Sequence, residues 1–170
     1  MMLELQNITI GDRIRHFSLT VGDGQLVALT GAQGSGKTTL LRAVLGLIPI
    51  DEGLITVDGE LLTPRSAPYF RRHMAYVPQY LEVPQGYDGM GLGRWADLSS
   101  DERYLLLLTN AVQTYKPLLI VDQPQHTVSS HTAETIGNLL RDAVQRGTTV
   151  LAVTPPNTPL QIPNIQQVTL

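Results

Sequence analysis

Residues Gly31, Ala32, Gln33, Gly34, Ser35, Gly36, Lys37, Thr38 and Thr39 carry the most specific chemistry in this chain. They fit the pattern G-x-x-x-x-G-K-[ST]. In such a loop the backbone N–H groups wrap phosphates, the lysine reaches the β/γ-phosphates, and the Thr38 hydroxyl is placed to ligate Mg²⁺. The chemistry requires a strand before the loop and a helix after it. Both are present in the pattern. Gln25 to Thr30 is a short apolar run suited to a buried parallel strand, and Lys37 to Leu47 places Leu40, Leu41, Val44 and Leu47 at helical spacing before Pro49. A loop opening a helix N-terminus favours a bound polyphosphate.

Asp122 is the second candidate. It ends the apolar run Leu118-Leu119-Ile120-Val121. An acid there can hold Mg²⁺ opposite the phosphates, usually through water. Alone this is a weak signal, because many strands end in Asp as a turn. Beside a phosphate loop it points to one site at the carboxyl ends of parallel strands.

The elements that must position these residues follow from periodicity. Met2–Ile10 and His16–Val21 read as strands, the second with Phe17, Leu19 and Val21 on one face. Leu54–Val57, an Asp58-Gly59 turn and Glu60–Leu62 read as a hairpin. Met74–Val77 is a short strand ending at Pro78-Gln79. Residues 80–98 are punctuated by Pro84, Gly86, Gly89, Gly91 and Gly93 and read as a loop. Ser99 or Ser100 caps a helix with Asp101 and Glu102 in its first turn and Tyr104, Leu105, Leu108, Ala111, Val112 and Tyr115 as its apolar stripe. Ser129 or Ser130 caps another, with Ile136, Leu139, Leu140, Ala143 and Val144 inward and Gly147 at its end. Thr148–Val153 and Gln166–Leu170 are further strands. Strands alternating with helices predict an α/β fold with a mostly parallel sheet, after an antiparallel N-terminal part.

At 170 residues the expectation is one domain, residues 1–170. The hydrophobic fraction is 42% and the formal net charge −3, without the basic balance that a nucleic-acid partner demands. The absence of cysteine excludes a disulfide framework or thiolate metal site and fits the cytoplasm. The N-terminus does not read as a signal peptide, and no apolar run is long enough to insert into a membrane. Any work at the inner face of a membrane would therefore go through a partner. His16, His73, His126 and His131 show no metal spacing, and Arg71, Arg72, Arg94 and Arg103 read as a solvated face.

The order of motifs resembles the nucleotide-binding domain of the ABC (ATP-binding cassette) transporter ATPases, a P-loop NTPase fold. The resemblance runs over about residues 3–154. It rests on Leu26-Val27-Ala28-Leu29-Thr30-Gly31 and the loop, Leu45-Gly46-Leu47-Ile48-Pro49, Glu52-Gly53, Val57-Asp58-Gly59, Met74-Ala75-Tyr76-Val77-Pro78-Gln79 and Leu119-Ile120-Val121-Asp122. The resemblance implies ATP and Mg²⁺ as ligands. It gives Gln79 the place of the glutamine that reaches Mg²⁺ and the γ-phosphate. It also implies a homo- or heterodimer of nucleotide-binding domains and an integral membrane partner.

The later motifs depart from the family pattern. Gln123 stands where the family has the glutamate that activates water, and an amide cannot take a proton at neutral pH. Pro155 stands at the switch histidine. The signature L-S-G-G-Q becomes Leu98-Ser99-Ser100-Asp101-Glu102, so Asp101 is expected to bring negative charge toward a phosphate while Ser99 stays available as a donor. His126-Thr127-Val128-Ser129 replaces the D-loop, and no aromatic platform for adenine lies near Ile10. Residues 79–98 stand where the family has a much longer helical subdomain. The reading that results is an ATP-binding subunit with slow or absent hydrolysis. Alternatives are an active transporter ATPase, a non-hydrolysing adaptor module, or an unrelated phosphate-loop kinase.

Overall fold

A computed structural model describes residues 1–79, 98–122, 128–154 and 165–170. Two sheets organise them. β1 (Leu3–Ile10), β2 (Ile14–Val21), β4 (Glu52–Val57) and β5 (Glu60–Leu61) form an antiparallel sheet in the order β2-β1-β4-β5. Its strands alternate, as a sheet with one covered face must: Leu3, Leu5 and Ile8 are buried on β1, and Leu19 and Val21 on β2. The step from Leu5 to Ile8 breaks the period of two. The pairing register shifts there, and Asn7 adopts a left-handed backbone (φ 53°), which its short polar side chain tolerates. Asp58 and Gly59 both have positive φ, so the hairpin closes as expected.

The second sheet is parallel throughout: β6 (Met74–Val77), β7 (Leu118–Val121), β8 (Thr149–Val153), β3 (Leu26–Thr30) and β9 (Gln166–Thr169), in that order. β7 and β8 are buried at every residue, because helices or the other sheet cover both faces. Alternation sends successive side chains to opposite cores. Val27, Leu29, Ile120 and Leu151 meet α1 (Lys37–Val44) and the antiparallel sheet, packing on Leu40 and Leu41. Val77, Leu119, Val121 and Val150 meet Tyr104 and Leu108 of α3 (Ser100–Gln113) and Leu140 of α4 (Ser130–Gln145).

Three local differences from the sequence reading have physical causes. α1 stops at Val44, because Gly46 turns left-handed (φ 62°), and Leu47 is left 56% exposed instead of continuing the stripe. Tyr115 lies past the end of α3 with φ 52° and points outward. A short helix, α2 (Ala67–Arg71), was not expected; Ser66 precedes it and Pro68 sits in its first turn. Its Arg71 is not part of a solvated face: the guanidinium donates to Leu45 O (3.1 Å) and Gly46 O (3.3 Å), capping the end of α1. The loop read over residues 80–98 falls almost wholly outside the described residues.

Candidate functional site

The phosphate-type loop leaves the carboxyl end of β3 and enters α1 at Gly36. That glycine has φ 105°, and an added Cβ would come within 3.0 Å of the Ile14 side chain, so the β1–β2 turn rests directly on the loop. α1 has no side-chain cap and no acidic residue in its first turn. Its positive end is therefore left to an outside acceptor. Lys37 curls back over the loop, and its ammonium donates to Gly31 O (2.9 Å) and Ala32 O (2.7 Å). Partial burial pushes its pKa below the ordinary 10.5, and the negative charge of Asp122 opposes that shift.

Asp122 lies at the end of β7, 1% exposed. Thr38 Oγ1 donates to its Oδ2 at 2.8 Å, so residues 84 apart in sequence meet at one point. The backbone holds the acid too. Its N–H donates to Val77 O (2.8 Å), and its carbonyl accepts from the Tyr104 hydroxyl (2.6 Å). β6 and β7 pair Val77 with Val121, and Gln79 follows two residues after the last paired residue of β6. Tyr76, on β6, has its phenol pushed up chiefly by burial and further by the charge of Asp122. At the end of β8, the Thr154 hydroxyl is buried without a hydrogen-bond partner among the described residues. A hydroxyl and a carboxylate, an uncapped helix end and an ammonium thus converge at the carboxyl edge. These donors fit a phosphate chain carrying a hard, oxygen-seeking dication.

Ser99 caps α3 as expected, with Asp101 and Glu102 in the first turn, but the polar groups there are engaged within the chain. Ser99 and Glu102 form a capping box: Ser99 N–H donates to Glu102 Oε2 (2.7 Å) and Glu102 N–H to Ser99 Oγ (3.3 Å), and the Ser99 hydroxyl also donates to Glu102 Oε2 (2.7 Å). This holds the Glu102 carboxyl below its ordinary pKa. Asp101 does not stand open toward a phosphate; its Oδ2 accepts the backbone N–H of Ser129, the residue that caps α4, at 3.2 Å. Gln123, His126, Pro155 and Arg94 lie outside the described residues. Sequence reading missed the Tyr104–Asp122 bond because it placed Tyr104 in an apolar stripe. The available signal was a tyrosine among leucines: a buried phenol needs a partner.

Comparison with known proteins bears on this arrangement. The family model for ABC transporters matches residues 14–90. A thiamine import ATP-binding protein, ThiQ, of Vibrio parahaemolyticus is 29% identical over 90% of this chain and 80% of its own. Solved ATP-binding subunits superpose closely: one, described as the ATP-binding subunit of an ABC transporter, has a TM-score of 0.75 at 19% identity, over 92% of this chain and 80% of that one. The fold is that of the ABC ATP-binding cassettes, and the sequence is similar to theirs. An uncharacterized ABC transporter ATP-binding protein of Haemophilus influenzae is 28% identical over 73% of this chain and 63% of its own. A manganese transport ATP-binding protein of Listeria monocytogenes is 38% identical over 48% of this chain, but that match covers only 33% of its length. The chain thus spans between about a third and two thirds of these two relatives. The loop follows β3 and Asp122 ends β7, with β8 between these strands, and the Thr38–Asp122 bond joins them at the parallel sheet's carboxyl edge. Among the described residues no helix is long and apolar enough to cross a membrane.

Proposed function

We propose that this chain binds Mg-ATP as a nucleotide-binding subunit and hydrolyses it slowly or not at all. The observation that carries the reading is the Thr38–Asp122 hydrogen bond, which joins the phosphate loop to the acid on β7. The backbone of Gly31, Ala32, Gln33, Gly34, Ser35 and Gly36 and the first turn of α1, with Thr39, cradle the phosphates. Lys37 exchanges the carbonyls of Gly31 and Ala32 for β/γ-phosphate oxygens. Thr38, Asp122 and Gln79 hold Mg²⁺, directly or through water. The bound cation neutralises phosphate charge. Gln123, at the sequence position of the family's general base, cannot accept the proton of water. That loss removes a contribution of about 10²–10⁴-fold. Pro155 offers no side-chain donor to the γ-phosphate.

Residues 1–170 act as one nucleotide-binding domain, in which residues 79–98 stand for the helical subdomain. It works at the inner face of a membrane through an integral membrane partner, paired with a second nucleotide-binding domain. The relatives named for import and transport support that setting.

The test pairs binding with turnover. Mg-ATP at about 100 times its Kd should stabilise the fold by about 2.7 kcal/mol, seen as a rise in Tm. Steady-state turnover should be near background, and Gln123→Glu should raise it by at least tenfold. Ordinary ATPase turnover by the native protein would instead identify Gln123 as a competent water-orienting residue, as in small GTPases. No rise in Tm would favour an adaptor that has lost its ligand.

A further inference from the structure

The start of α3 touches two points that the nucleotide reading leaves unexplained. One residue there, Asp101, takes the N–H of Ser129 at 3.2 Å. Three residues on, Tyr104 gives its hydroxyl to the carbonyl of Asp122 at 2.6 Å. Asp122 and Ser129 are where the chain leaves β7 and where it enters α4. We propose that the start of α3 clamps two points, Asp122 at the end of β7 and Ser129 at the cap of α4, with Tyr104 as a positioning residue for Asp122.

The chemistry favours a specific role over packing alone. Tyr104 is 1% exposed, and an aromatic ring without a hydroxyl would fill the same space against Leu108, Leu119 and Val121. Burial pushes its pKa up far beyond the ordinary 10, so it stays a neutral donor at any working pH. A donor fixed on the carbonyl of Asp122 restrains rotation of the peptide that carries the carboxylate. The carboxylate's other oxygen-facing contact, Thr38, then meets it at one angle. Asp101 adds its charge at the positive end of α4, which ties the second point electrostatically. The first turn of α3 is closed by the Ser99–Glu102 box, so the two clamp residues sit on a braced element.

The clamp deepens the Mg-ATP reading and rests on it for its functional consequence. Two measurements separate the claims. In nucleotide-free protein, Tyr104→Phe should speed amide exchange at Ser129, which Tyr104 does not touch; unchanged exchange there would mean two independent bonds and overturn the clamp. In binding assays, Tyr104→Phe should lower the gain in ATP affinity on adding Mg²⁺ by about 3- to 10-fold, the worth of one hydrogen bond, with ATP affinity in EDTA unchanged. An equal loss with and without Mg²⁺ would reduce Tyr104 to a packing role. Asp101→Ala should reproduce the loss of Mg²⁺ gain from a distance. If native protein binds no nucleotide, the Mg-ATP reading fails alone, and exchange at Ser129 decides the clamp.

Discussion

Asp122 is restrained at its amide, its carbonyl and its carboxylate, by Val77, Tyr104 and Thr38 respectively. A group fixed at three atoms is preorganised, so changing its charge alone is informative. Asp122→Asn keeps the shape and an acceptor but removes the charge. It should reduce the Mg²⁺-dependent gain in ATP affinity on the order of 10- to 100-fold, the range for hydrogen bonds to charged groups. The same change removes the one influence that raises the Lys37 pKa, so the Lys37 titration followed by NMR should move further below 10.5. The sign for stability follows. A depressed lysine releases its proton in the native state before the unfolded chain does, so this group's contribution to stability rises with pH up to about 10.5. At this scale the sequence is informative wherever chemistry demands a rare pattern, as in the phosphate loop. It does not name the partners of Tyr104 and Asp101, which lie 18 and 28 residues away and are chosen by packing.

α1 depends on how it ends as much as on how it starts. Gly46 is left-handed, and a Cβ there would lie 2.4 Å from Ala67 Cβ on α2. Gly46→Ala therefore meets both a backbone penalty of about 1–2 kcal/mol and overpacking of about 1–3 kcal/mol. Gly59, also left-handed, has nothing within 4 Å. Gly59→Ala should show the backbone term alone, about 1–2 kcal/mol, and urea unfolding of the two variants would measure the difference. Equal losses would mean that α2 moves aside freely. α2 itself shows the limit of periodicity: five residues are too few to display a helical period, and only Ser66 and Pro68 hint at a start. The early stop of α1 has the opposite cause, since Leu47 continues the 3.6-residue spacing after Gly46 has ended the helix.

Across the whole molecule, the alternation of strands and helices announces a parallel sheet, and continuous apolar runs mark its inner strands. The order β6-β7-β8-β3-β9 and the pairing of β1 with β4 are not written in any local window, because they are settled by which apolar faces can share a core. Charge distribution is also a property at this scale. The start of α3 carries the carboxylates of Asp101 and Glu102, both spent on bonds within the chain. Finally, β3 lies inside the parallel sheet, bonded to β8 on one side and β9 on the other, with Thr154 N–H on Leu29 O and Leu170 N–H on Thr30 O. Its amides are freed only when the sheet itself opens. The loop that grips phosphate is thus moored to a late-surrendering strand, and on heating the protein should lose its capacity to bind and its fold in one transition, with no folded but ligand-blind intermediate.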